Sequence, residues 1–144
     1  MVGLILLKGD TVYIAGPIHG VEHDQHYRDN LRQVLIEFEC EVIDPWQREK
    51  VDYSLTGEDW WRNVPSTYFI KRDLEDIDRC NALIAFLPML SAGTCMELFY
   101  AKHKGKATIV ISNMESLSPW IIHHADLFFK NVEEFKKHLE KNID

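Results

Sequence analysis

Short apolar runs alternate along this chain with segments whose apolar residues recur at helical spacing, and that alternation restricts the fold more than any other feature. Thr11-Val12-Tyr13-Ile14-Ala15, Cys40-Glu41-Val42-Ile43, Ala82-Leu83-Ile84-Ala85-Phe86-Leu87, Ala107-Thr108-Ile109-Val110-Ile111 and Ala125-Asp126-Leu127-Phe128-Phe129 read as five strands. Between them, Tyr27, Leu31, Val34, Leu35 and Phe38 mark one apolar helix face, and Phe69, Ile70, Leu74 and Ile77 mark a second, beginning at Ser66. A third helix carries Leu98 and Phe99 inward and ends at Gly105, which suits the left-handed position after a helix. Asn131 with Glu134 caps a last helix bearing Val132, Phe135 and Leu139. Gly16-Pro17 ends the first strand in a turn, and Asp44-Pro45 stops the second. Residues 46–65 are polar and aromatic without a clean period, so a long loop of the binding or lid kind is expected there.

Strands of this kind, alternating with helices, make a parallel sheet covered on both faces. The expectation is one α/β domain over residues 1–144, a doubly wound five-stranded parallel sheet with strand order 2-1-3-4-5. That order reverses between the first and third strands, and ligands bind outside the carboxyl ends of the strands at such a switch point. The loops there are Gly16-Pro17-Ile18-His19-Gly20 and the stretch from Pro88 to Thr94.

Ser91-Ala92-Gly93-Thr94-Cys95-Met96-Glu97 follows the third strand and opens a helix. Free N–H groups and the positive dipole end of a helix start suit an anion or a polar substrate group. Gly93 lets a ligand approach the backbone, and Glu97 sets a carboxylate at the pocket rim. A second reading of the same residues is a capping box, with Thr94 and Glu97 satisfying each other's orphan N–H groups. The switch-point position favours a ligand-facing Glu97, and Thr94 can still cap.

Composition narrows the partners. Among 144 residues, 46% are hydrophobic and 27% charged, which is ordinary for a folded globular domain. A net charge of −7 disfavours a nucleic-acid polymer but not a mononucleotide. Three scattered cysteines, Cys40, Cys80 and Cys95, lack metal spacing and point to a reducing, cytoplasmic setting. Leu4-Ile5-Leu6-Leu7 is too short for a signal peptide or a membrane span.

Three segments carry a family resemblance: Val12-Tyr13-Ile14-Ala15-Gly16-Pro17, Arg72-Asp73-Leu74-Glu75-Asp76-Ile77, and Ser91 to Glu97 with Leu98 and Ala101. In this order and spacing they resemble the nucleoside 2-deoxyribosyltransferase superfamily, which includes 2'-deoxynucleoside 5'-phosphate N-hydrolases, over residues 11 to about 130. The resemblance implies a flavodoxin-like subunit that cleaves the bond between a base and C1' of a (deoxy)ribose. It matches Glu97 to the nucleophile, Tyr13 to the hydroxyl that orients it, and Asp73 to the acid near the base. It further implies a homodimer or higher homo-oligomer, in which Ser118 is donated across the interface. Ser91 and Ser118 match phosphate-holding serines of the hydrolases, whereas Pro17 and His19 stand where those enzymes carry a Ser and an Arg. His19 would replace the Arg only when protonated.

The residue types suit that chemistry. A carboxylate can stabilise an oxocarbenium-like state and trap the sugar as an ester, while a second acidic group meets the charge developing on the base. Read without the resemblance, Asp73 with Glu75, Asp76 and Asp78 is the solvated face of a helix whose Ile70, Leu74 and Ile77 point inward, and Tyr13, an inward- or outward-facing strand residue, is as readily core packing as a site residue. The C-terminal Glu140-Lys141-Asn142-Ile143-Asp144 lacks the aromatic tail of the transferases. The leading expectation is therefore base release from a (deoxy)nucleoside 5'-monophosphate. Deoxyribosyl transfer between bases and a non-catalytic nucleotide-binding module are the alternatives. No cofactor or metal is expected. His19, His23 and His26 lack a carboxylate partner, His123-His124 suits a surface turn, and Cys95 lacks an evident base. Trp46, Trp60 and Trp61 could stack on a base or clamp a neighbouring subunit. No phosphate loop or dinucleotide fingerprint is present.

Overall fold

The computed structural model describes residues 6–62 and 64–141. Leu4 and Ile5 of the N-terminal apolar run, and Asn142 to Asp144 of the C-terminal stretch, lie outside the described residues. In chain order the elements are β1 (Thr11–Ala15), α1 (His26–Glu37), β2 (Glu41–Ile43), α2 (Trp46–Thr56), a short 3-10 segment (Gly57–Arg62), α3 (Ser66–Arg79), β3 (Ala82–Phe86), α4 (Ala92–His103), β4 (Ala107–Ile111), α5 (Pro119–His124), β5 (Leu127–Phe129) and α6 (Val132–Lys141). The five strands are parallel in the order β2-β1-β3-β4-β5. This is the flavodoxin-like doubly wound topology that the alternation implies.

Strand alternation sorts the core into two. Val12, Ile14, Ala82, Ile84, Ile109 and Ile111 point to one face, where Leu31 and Leu35 of α1 and Phe135 and Leu139 of α6 cover them. Tyr13, Ala15, Leu83, Ala85 and Val110 point to the other, under Ile77 of α3, Leu98 and Ala101 of α4 and Ile121 of α5. Each fully buried aliphatic side chain here stabilises the fold by about 1.5–3 kcal/mol, more than any helix cap does. Tyr13 thus belongs to the face that carries α3 and α4, a consequence of period-two alternation alone.

The helix ends follow local chemistry. Gly105 adopts φ +78, its N–H donates to the Lys102 carbonyl, and the Lys106 N–H donates to that of Ala101, a Schellman close to α4. Asn131 Oδ1 accepts from the Glu134 N–H at 2.8 Å, while Glu134 Oε1 accepts from the Lys130 N–H. α4, however, starts earlier than expected. Its N-cap is Ser91, whose Oγ accepts from the Thr94 N–H, so Glu97 lies in the second turn and takes no part in the cap. The capping-box reading of Thr94 and Glu97 is thereby corrected.

Residues 46–62 are not a loop. Asp44 Oδ1 accepts from the Trp46 N–H at 3.1 Å, so Asp44-Pro45 ends β2 and at once starts α2. The period is hidden because the inward positions of α2 are Trp46 and Glu49, with Tyr53 tilted against Trp46 at 5.8 Å between ring centroids, whereas Val51 and Leu55 face outward. A buried glutamate occupies the place where a pattern reading looks for a leucine.

Candidate active site

A cavity of about 360 Å³ opens beyond the carboxyl ends of β1 and β3, at the point where the strand order reverses. Its walls come from the β1–α1 loop (Gly16, Ile18, His19), from Glu49 of α2 and Trp60 and Trp61 of the 3-10 segment, from Phe69, Ile70, Asp73 and Leu74 of α3, and from Ser91, Gly93, Thr94, Met96 and Glu97. That volume suits a small ligand.

At its floor the Tyr13 hydroxyl donates a hydrogen bond to Glu97 Oε2. Tyr13 is wholly buried on β1, and Glu97 hangs from α4 above it with its carboxyl end enclosed. Burial pushes the Glu97 carboxyl up to about 7; the Asp73 charge adds to the rise, and the Tyr13 hydrogen bond and Arg28 oppose it. Burial and the adjacent Glu97 charge also drive the Tyr13 phenol well above its ordinary range, so it stays a donor. Glu97 is therefore a carboxyl poised near neutrality, with one oxygen fixed in direction by a phenol.

A second acidic group lies on the wall formed by α2 and α3. Glu49 is 3% exposed and lines the cavity beside Asp73. Glu49 Oε2 has no partner among the described residues. Burial, and then the Asp73 charge, push Glu49 up to about 9; Asp73 is raised too, chiefly by burial, though Arg48 restrains it. Arg48 Nη2 donates to Asp73 Oδ1 at 3.1 Å and to Asp76 Oδ2 at 2.5 Å, and Arg79 also donates to Asp76. Asp73 and Asp76 thus face inward onto a cation of α2, which overturns the solvated-face reading for these two, while Glu75 and Asp78 are exposed as that reading expects. Ile70, expected inward, is instead half exposed at the cavity mouth.

The loop after β1 is held rigidly. Arg28, 1% exposed, donates to Asp44 Oδ1 (2.8 Å), to the Ile14 and Gly16 carbonyls (3.2 and 3.0 Å) and to Gln25 Oε1 (2.7 Å). Gly16 lies so close to Tyr27 that a Cβ there would be 1.9 Å from the phenol oxygen, so only glycine fits. Glu22 Oε1 accepts from the Gly20 N–H and Oε2 from Trp60 Nε1, both at 3.0 Å, tying the loop to the 3-10 segment. His19 meets Trp61 edge to face at 5.0 Å. Trp61 Nε1 has no partner among the described residues.

Of the residues singled out from the sequence, Glu97, Asp73, Gly16, Ile18, His19, Ser91, Gly93 and Thr94 line one cavity, and Tyr13 reaches it through Glu97. Pro17 is buried beside it, with its carbonyl accepting from Gln25 Nε2, and does not line it. Ser118 is also outside it; it caps α5, accepting from the Trp120 N–H at 3.2 Å. Cys95 packs against the core between α4 and the sheet. Glu49, Arg48 and Arg28 were missed. Trp46, Glu49 and Tyr53, at i, i+3 and i+7, were the available signal, provided a glutamate is admitted among inward positions.

Several solved structures share the fold. A 2-deoxyribosyltransferase from Bacillus psychrosaccharolyticus is 21% identical, with a TM-score of 0.66 over 93% of this chain and 92% of that one. A CMP N-glycosidase from Clostridium botulinum is 21% identical, with a TM-score of 0.62 over 92% and 99%. A 2-desoxiribosyltransferase from Leishmania mexicana is 18% identical, with a TM-score of 0.65 over 93% and 99%. No curated protein matches the chain by sequence at a significant level. The family model described as nucleoside 2-deoxyribosyltransferase matches residues 12–139, nearly the whole chain, and the protein therefore belongs to that family.

Proposed function

We propose that this protein cleaves the N-glycosidic bond of a (deoxy)nucleoside 5'-monophosphate and releases the base, with Glu97 as nucleophile. The observation that carries this reading is the Tyr13–Glu97 hydrogen bond at the floor of a cavity whose other wall holds a separate acidic pair. As the C1'–N bond breaks, its electrons pass to the base and positive charge grows on the sugar. The Glu97 carboxylate stabilises that charge and closes on C1' to form an ester. Tyr13 keeps one oxygen of the carboxylate bonded, leaving the other to attack. Asp73 belongs to the acidic group that meets the base. Water then opens the ester.

Protonation states set the pH dependence. Glu97 must be ionised, so kcat/KM rises with pH through about 7. The acidic pair must still hold a proton, so activity falls again as Glu49 ionises toward about 9. A bell between those limits is expected.

The phosphate is assigned to the start of α4. The first N–H groups of a helix have no intrahelical acceptor, and Ser91 and Gly93 border the cavity there. His19 borders the cavity from the facing loop. Ser118 would reach the site from a second copy of the chain. Trp120, 73% exposed, Ile122 and Phe99 offer apolar surface for that contact, and Met96 joins this surface to the cavity mouth.

The test is incubation with a panel of nucleosides and 5'-monophosphates, with and without an acceptor base, following base release by chromatography. Release from monophosphates without acceptor supports the hydrolase. Turnover only with acceptor assigns deoxyribosyl transfer, and binding without turnover assigns the binding module.

A further inference from the structure

Glu49 of α2 and Asp73 of α3 set two carboxyl groups beside each other on one wall of the cavity. Two carboxylates so placed repel each other out of reach of bulk water, which favours a proton on one of the four oxygens. The surrounding charges decide which. Asp73 has Arg48 on Oδ1 and Arg72 near by, which favours its ionised form. Glu49 is 3% exposed and faces the Asp73 and Glu97 carboxyls and the Tyr13 phenol, with Arg28 the opposing charge from α1. Arg28 is itself bound to Asp44, and Arg48 of the same helix donates to Asp73 and Asp76. Glu49 is thus the protonated member, and its Oε2 is a buried polar atom on the cavity wall without a partner among the described residues.

We propose that Glu49 and Asp73 hold one proton between them and that this proton passes to the departing base, making Glu49 a second catalytic carboxyl. The delivery step rests on the glycosidase reading above. In the first half-reaction Glu97 bonds to C1', the C1'–N electron pair moves onto the base, and the base takes the pair's proton. The pair goes from one proton to none, with Arg48 beside the added charge. In the second half-reaction a water oxygen bonds to C1', the ester bond to Glu97 breaks, and the water's proton returns to the pair. The sum is nucleotide plus water to free base plus sugar phosphate. Arg48 and the Glu49 carboxyl both favour ionised Asp73, so Glu49 is the member that keeps the proton.

The test uses Glu49→Gln, which keeps the size but cannot share a proton, alongside carboxyl-carbon NMR of the wild-type protein labelled with carbon-13 at glutamate. The Glu49 signal, assigned by its loss in the variant, is expected to stay in the protonated form at pH 7. Ionisation below pH 5, as for an ordinary glutamate, would overturn the proposal irrespective of how the variant folds. In the activity arm Glu49→Gln is expected to lose ~100-fold or more in kcat with a natural base, the typical value of a general acid. With a 4-nitrophenyl 2-deoxyribose 5-phosphate, whose leaving group departs without a proton, the loss should shrink to under roughly 5-fold. Equal losses on both substrates, or a change in KM alone, would show a structural or binding role and overturn it. Absence of base release by the wild type from every substrate would refute the glycosidase reading and with it the delivery step. The NMR titration would still decide, separately, whether the proton is shared.

Discussion

Glu97→Gln separates chemistry from stability, because the two should move in opposite directions. In the fold the Glu97 carboxyl titrates near 7, against 4.5 in the unfolded chain, and burial is the main cause. The folded state therefore holds this proton more tightly, and stability falls as pH rises from the unfolded value through the folded one. A difference of about 2.5 in pKa at about 1.4 kcal/mol each corresponds to roughly 3.5 kcal/mol of destabilisation once both states are ionised. Glutamine keeps an oxygen to accept from Tyr13 and carries no charge to desolvate. It also brings an amide that needs partners, so a net gain of about 1–3 kcal/mol above pH 8 is expected, and none near pH 4. In a domain of this size the gain amounts to a rise of roughly 3–10 °C in Tm. Base release should meanwhile fall at least ~1,000-fold, since an amide is no nucleophile. Thermal melts from pH 4 to 9, paired with a base-release assay, read both quantities. A variant that is active, or that is less stable than wild type at pH 8.5, would refute the reasoning.

Two other outcomes follow from the site. If the start of α4 holds a phosphate, the 5'-monophosphate should be cleaved with kcat/KM at least ~10-fold above the nucleoside, about 1.4 kcal/mol of charge-assisted hydrogen bonding, and Ser91→Ala should narrow that ratio. Equal rates for both substrates would remove the phosphate site. If a second copy completes the cavity through Ser118, Trp120→Ala should lower oligomeric mass and activity together, as read by light scattering and assay on the same sample. A fully active wild-type monomer at micromolar concentration would contradict this.

Much of the fold was legible because two periods carry it. β1 and β4 lie where the apolar runs lie, and α1, α3 and α6 follow their helical stripes. Glu97 was accessible through the switch-point rule, and Tyr13 through the family resemblance. Their contact came only from the family resemblance, since no period relates a strand residue to one 84 positions on. The acidic wall was hidden for a different reason. Asp73 and Asp76 appear solvated unless Arg48 is known to lie over them, and Arg48 sits in a helix whose inward face includes a glutamate. Helix α2 breaks the hydrophobic pattern because it serves the cavity, and a pattern reading fails where polar groups are buried for use. α5 is six residues long, too short to show a period.

The central claim, that Glu97 attacks C1', is tested most directly by trapping the ester. Substrate is mixed with the enzyme, quenched in acid within milliseconds, and the digested protein is examined by mass spectrometry; methanol is used in parallel as acceptor to read stereochemistry at C1'. The account predicts a sugar phosphate on the peptide containing Glu97, and a methyl glycoside with the same configuration at C1' as the substrate. An inverted methyl glycoside, or an adduct on another residue with Glu97 unmodified, would contradict it.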